Sequence, residues 1–145
     1  MTSGMTLLTE RDKAQFLARF YGCDDGVVRS FAVTYPYGWF TRPNPGEEEV
    51  AQANILLSVM DREQDTGWSN LSLVLNDVRE FRVWESGGRY NTVLPDSLKL
   101  AWFDGLVFVD FSLGDYDLST VEGFRKARRY MVARELYWRV EPYDR

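Results

Sequence analysis

The sequence predicts an α+β domain: a mainly antiparallel β-sheet, built as a sandwich or half-barrel, with an N-terminal helix and a short helix before the last strand. Three stretches carry that expectation. Leu71, Leu73 and Leu75 alternate with Ser72 and Val74, the period-two pattern of a strand with one buried face. Leu98–Phe103 and Leu106–Phe111 flank Asp104-Gly105, the dipeptide favoured by a type I′ hairpin turn. Phe16, Leu17, Phe20 and Tyr21 recur at helical spacing behind Thr9, a residue able to cap a helix.

Taken in order, Thr9–Tyr21 reads as a helix packed on the sheet. Glu10 and Asp12 sit in its first turn, where the helix dipole favours acids, and Gly22 stops it. Asp24-Asp25-Gly26 is a turn. Val27–Tyr35 follows as a strand, with Val27, Phe31, Val33 and Arg29 on one side and Val28, Ala32, Thr34 and Ser30 on the other. Residues 36–46 hold three prolines and two glycines, a density that forbids a regular element. Tyr37, Trp39 and Phe40 therefore ride on a loop, either tucked beneath it or exposed as a binding anchor.

Glu47–Glu49 is an acidic run. In Ala51–Met60, Ala51, Ala53, Ile55, Leu57 and Val59 share one face at period two. Helical spacing of Val50, Ala53, Leu57 and Met60 fits only in part, so a strand is preferred. Asp61–Gly67 is a polar loop. The long stretch Trp68–Trp84 then begins, and Asn76-Asp77 breaks its alternation before Phe81 and Val83 resume it. The break is either a bulge in one strand or a tight turn between two. Glu85–Arg89 is a flexible connection, and Tyr90–Asp96 is irregular.

The second hairpin strand is apolar on both faces except at Asp110, which predicts a central place in the sheet. Ser112–Ser119 is a loop. Ser119 or Thr120 caps a short helix reaching Arg128. Leu136, Trp138 and Val140 alternate with Tyr137, Arg139 and Glu141, a closing strand ended by Pro142; a helix continuing to about residue 137 is the competing reading. No repeat or linker divides the chain, so residues 1–145 form a single domain.

Composition narrows the chemistry. The chain has 145 residues, 45% of them apolar, enough for a core without staples. Cys23 is its only cysteine, so no intrachain disulfide forms, and a cytoplasmic setting is expected. Histidine is absent, which rules out Ser-His-Asp and Cys-His catalysis and leaves Cys23 as a packed or half-exposed thiol. A zinc site lacks ligands. Residues 1–118 carry 10 basic and 18 acidic side chains, net −8, and residues 119–141 carry 6 and 3, net +3. A mostly acidic body repels nucleic acid and anionic membrane, so neither is expected as a partner. No stretch approaches the ~20 apolar residues of a membrane span.

No glycine-rich phosphate loop is present, because Gly87-Gly88 lacks the following lysine. Asp115 and Asp117 near Asp110 are the best candidates for gripping a hard cation, against the simpler reading of loop acids facing water. Arg125, Lys126, Arg128 and Arg129, with Arg134 beyond, form the one basic cluster. It reads either as a contact for phosphate or an acidic partner, through Arg125, Arg128 and Arg129, or as a solvated helix face. No cofactor, metal site or catalytic residue is expected.

The layout of helix, Asp25-Gly26 turn, strands through Leu71–Val78, Asp104-Gly105 hairpin and closing Tyr137–Val140 resembles small acidic α+β proteins of bacteria. Some of these are immunity proteins for polymorphic toxins. The resemblance implies a cytoplasmic protein that blocks a toxin by binding it, and it carries over no functional residue. The expectation is a non-enzymatic protein-interaction module with a protein partner, able also to self-associate. Two other readings are a small-ligand binder using the aromatic loop 35–46 and a metal-assisted enzyme using Asp110, Asp115 and Asp117.

Overall fold

Alternation and turn chemistry become strands almost wherever the sequence carries them. The computed structural model describes residues 4–35, 50–83, 93–94, 98–112 and 117–142. Its strands are β1 (Thr6–Leu8), β2 (Gly26–Thr34), β3 (Gln52–Met60), β4 (Trp68–Val83), β5 (Val93–Leu94), β6 (Lys99–Phe103), β7 (Leu106–Asp110) and β8 (Arg129–Pro142). Its helices are α1 (Lys13–Arg19) and α2 (Val121–Phe124). All strands join one antiparallel sheet in the order β5-β2-β3-β4-β8-β7-β6, with β1 added to β8. The fold is thus mainly antiparallel sheet with a few short helices, an α+β arrangement. β8 carries β4 along one edge, and β7 followed by β1 along the other.

The inner face is the one the sequence marks. Ala53, Ile55, Leu57 and Val59 of β3 lie against Leu71, Leu73 and Leu75 of β4 and Leu136 of β8, all essentially inaccessible to water. α1 closes this face at one end. Phe16 and Phe20 are buried, and their rings meet Trp138 edge-on at 5.4 and 5.8 Å.

The predicted single helix over Thr9–Tyr21 is broken into three pieces. A 3-10 turn (Glu10–Asp12) precedes α1, and a second one (Tyr21–Cys23) follows it. The Thr9 hydroxyl donates to Asp12 at 2.9 Å instead of capping a backbone N–H. Tyr21 leaves the apolar stripe: its φ is +54°, and its half-exposed ring lies beneath the Arg62 guanidinium at 4.0 Å. Gly22 ends the helix as expected, at φ +70°. Tyr21, Cys23 and Asp25 share this left-handed region, which disfavours side chains by about 1–2 kcal/mol each. The corner holds because Gly22 accepts the Leu98 N–H and Phe20 accepts the Cys23 N–H, both at 2.8 Å. Cys23 itself is fully buried, and burial pushes its thiol up to about 12, so it stays protonated at neutral pH.

Two register changes shape the sheet. In β2 the pairing with β3 slips between Val28 and Ser30. Val28 faces inward before the slip, and Phe31 and Val33 face inward after it. The expected grouping of Val27 with Phe31 and Val33 is therefore wrong: Val27 lies opposite Ser58 on the outer face. In β4 the break at Asn76-Asp77 is a kink within one strand of 16 residues, not a turn between two. Asp77 takes φ +58°, and a further slip falls between Val78 and Glu80. Across from it in β8, Leu136 and Ala133 both face inward with two residues between them, so the two strands bend together.

That bend curls the sheet. β2 and the end of β7 are four strand spacings apart, ~19 Å in a flat sheet. Yet the Phe31 and Phe111 rings are 5.4 Å apart.

The Asp104-Gly105 hairpin forms as predicted, with Phe103 opposite Leu106 and both turn residues at positive φ, +52° and +79°. A Cβ at position 105 meets nothing within 4 Å, so the penalty for Gly105→Ala is conformational alone. Chemical denaturation should show a loss of about 1–2 kcal/mol.

β7 is flanked on both sides but sits one strand from the edge, not centrally. Its second apolar face is covered instead by α2. Phe108, Phe124, Ala127, Tyr130 and Val132 form a small outer core there. Thr120 caps α2 by accepting the Gly123 N–H at 3.0 Å. Gly123 is required for another reason: a Cβ would fall 1.3 Å from the Asp117 carbonyl oxygen. The predicted helix through Arg128 stops at Phe124, and β8 begins at Arg129, so the closing segment is strand throughout. Two further strands were not expected. β1 precedes the helix, and β5 lies inside the stretch read as irregular, pairing with Gly26 and Val27.

Candidate interaction face

The outer face of β2, β3, β4 and β8 is a four-by-four grid fixed by register. Its rows are Val27, Ser58, Asn70 and Glu141; Ser30, Leu56, Ser72 and Arg139; Ala32, Asn54, Val74 and Tyr137; Thr34, Gln52, Asn76 and Glu135. Leu7 of β1, opposite Tyr137, extends the third row into a strip with Ala32, Val74 and Tyr137 as apolar members. Among the described residues no helix packs on this grid, whereas α1 covers the inner face and α2 the outer face around β7. Leu7 and Ala32 are exposed, and Leu56 and Tyr137 are half-buried.

Several of the polar members are tied to neighbouring side chains. Arg29 donates to the Ser58 hydroxyl, which donates to Asn70 Oδ1, each at 3.1 Å. The Asn76 amide and the Tyr137 hydroxyl both donate to Glu135, at 3.2 and 3.1 Å. Arg139 pairs with Glu141 at 2.8 Å. Side chains held this way lose little further freedom when a partner arrives. At the foot of the grid the kink opens a polar hollow of about 280 Å³ lined by Val50, Asn76, Asp77, Arg134 and Glu135. The Arg79 guanidinium donates to both carboxylate oxygens of Asp77, at 2.9 and 2.6 Å.

A larger hollow of about 370 Å³ lies between β1, α1 and Trp138. Its floor is an ion-pair joint. Arg19 forks onto Asp61 at 3.0 and 3.1 Å and reaches Glu63 at 2.8 Å, while its guanidinium lies over the Phe20 and Trp138 rings. Asp61 is shielded from water and also accepts the Glu63 N–H and the Ser69 hydroxyl, both at 2.9 Å. Burial works to raise its carboxyl. The hydrogen bonds from Arg19, Glu63 and Ser69, with the Arg19 charge, outweigh that and hold it below the usual carboxylate range.

The residues singled out from sequence do not assemble into one site. Tyr37, Trp39 and Phe40 lie outside the described residues, as do Glu47–Glu49, Glu85–Arg89 and Asp115. Next to that aromatic segment, Tyr35 and Phe81 are exposed on the inner side with rings 6.3 Å apart. The basic run is not one solvated helix face. Arg125 is exposed and pairs with Glu80 at 3.1 Å, Arg128 is exposed, and Arg129 is buried on the inner side with its guanidinium 5.5 Å from the Phe111 ring centre.

Asp110 is buried and accepts the Ser112 N–H and hydroxyl, whereas Asp117 is exposed and accepts from Ser119. Among the described residues no three acids or cysteines gather closely enough to hold a metal. None of the described helices is long and apolar enough to cross a membrane. Comparison with known protein families, characterised proteins and solved structures returns no match for this chain.

Proposed function

We propose that this protein is a binding module whose curled, half-barrel sheet presents its outer grid to a protein partner, in the manner of the inhibitors its layout resembles. The observation that supports the reading is a face on which, among the described residues, no helix packs, and which combines exposed Leu7 and Ala32 and half-buried Tyr137 with hydrogen-bonded polar side chains. Strand spacings give the grid a footprint of ~19 by ~27 Å, or ~500 Å². A stable complex buries about 800 Å² per partner, so the rim from Leu7 to Met60 and Trp68 takes part as well.

The test is titration against the product of the adjacent gene at micromolar concentration. Ala32→Arg with Leu7→Glu alters two exposed grid positions and should weaken the complex at least about tenfold, about 1.4 kcal/mol. Arg125→Ala, away from the grid, should leave it unchanged. No complex, or equal binding by the grid variant, refutes the reading.

The small-ligand reading is favoured by one observation, the exposed pair of Phe81 with Tyr35, the residue that immediately precedes residues 36–46 in sequence. Tryptophan fluorescence against a metabolite panel separates it from the first, because Trp39 would respond.

A further inference from the structure

β6 ends the sheet, and among the described residues no strand pairs with its outer edge. The two-residue turn makes Phe103 and Leu106 a hydrogen-bonded pair, and by alternation Ala101–Phe108 and Lys99–Asp110 as well. The backbone groups of Leu98, Leu100 and Trp102 therefore point away from β7. The Leu98 N–H already uses that direction, reaching the Gly22 carbonyl at 2.8 Å. Alongside this edge runs a hollow of about 240 Å³, bounded by Lys13 and Leu17 of α1 on one side and by Leu118 and Phe124 on the other. Lys99 also lines it. Its ammonium is buried and has no hydrogen-bond partner among the described residues.

Asp110 stands opposite Lys99 in register, but among the described residues the second oxygen of its carboxylate is also without a partner, so the two do not close an ion pair. Burial pushes the Asp110 carboxyl up, against the Ser112 hydrogen bonds and the charges of Lys99 and Arg129, which makes it a poor counter-ion. Two lysines beside an open strand edge in an otherwise acidic protein are a built-in preference for negative charge.

We propose that the outer edge of β6 takes an extended acidic segment of another protein as an added strand. Backbone groups of Leu100 and Trp102 pair with that segment, alternate apolar side chains pack toward Leu17, and the intervening carboxylates meet Lys99, with Lys13 adding to the positive field. This surface is distinct from the outer grid and stands whether or not the grid binds.

The probe is the capped peptide Val-Glu-Val-Glu-Val, titrated into the isotope-labelled full chain and followed by amide resonances and hydrogen exchange. Leu100 and Trp102 amides should shift and become protected at peptide concentrations below ~1 mM. Val-Lys-Val-Lys-Val should bind at least about tenfold more weakly, and so should Val-Glu-Pro-Glu-Val, whose proline cannot pair. Lys99→Glu and, separately, Lys13→Glu should reverse the preference between the acidic and basic peptides. No shift at ~1 mM, equal affinity for the three peptides, or shifts confined to the outer grid overturns the proposal. Concentration-dependent self-association that protects the same amides also overturns it, since the occupant is then a second copy of the chain.

Discussion

Asp61→Ala should lower the free energy of unfolding by about 3–5 kcal/mol, read by urea or guanidinium denaturation. The substitution leaves the Arg19 guanidinium without its forked partner and the buried Ser69 hydroxyl without its acceptor. It also removes one of the ties between α1 and the turn between β3 and β4, leaving the Arg62 bonds to the Ala18 and Arg19 carbonyls. Glu63→Ala removes the outer half of the same pairing from a carboxylate that is 64% exposed, and should change stability by no more than about 1 kcal/mol.

The effect depends on pH. The folded-state value of Asp61 lies below its unfolded value, so its stabilisation is complete above the unfolded value of about 4 and is lost as pH falls through the lowered one. Parent and variant should therefore differ most near neutrality and converge in acid. A gap that stays constant with pH would remove the charge from this account and leave only packing.

Phe111→Ala should be comparably severe, about 3–5 kcal/mol by the same measurement. Phe111 is fully buried and touches Phe31 from across the curl as well as the Arg129 guanidinium. Its loss opens a cavity and removes a contact between β2 and the far side of the sheet. Phe31→Ala, at a position that is 37% exposed, should cost less than half as much. Equal effects would mean that the curl is held elsewhere.

The parts legible in the sequence are those encoded locally. Leu71, Leu73 and Leu75 need only their own period to declare a buried face, and Asp104-Gly105 needs only its positive φ angles to declare a hairpin. The slip at Arg29 is different. A bulge adds one residue without any composition of its own, so strict alternation puts Val27 and Val28 on the wrong faces. β1 and β5, with three and two residues, are too short to show alternation.

Arg129 read as part of a solvated run because Arg125, Lys126 and Arg128 precede it. Only the switch from α2 to β8 turns it inward beside Phe111. The Arg19–Asp61 joint left no trace at all, since its partners are 42 positions apart and each looked like an ordinary surface charge. The outer grid was half visible: Tyr137, Arg139 and Glu141 were assigned to one side of their strand. That Ala32 and Asn54 share a row with Tyr137 follows only from strand order.

The position of β8 has a consequence for how the polypeptide is made. The strand that contacts β1, β4 and β7 is the last of those described to leave the ribosome. Until it does, the leucine-rich side of β4 has no neighbour on one edge, and the N-terminal segment has nothing to join. The pairings of β8 wait for synthesis to pass residue 142, and non-local strand pairings of this kind form late and leave apolar surface exposed in the meantime.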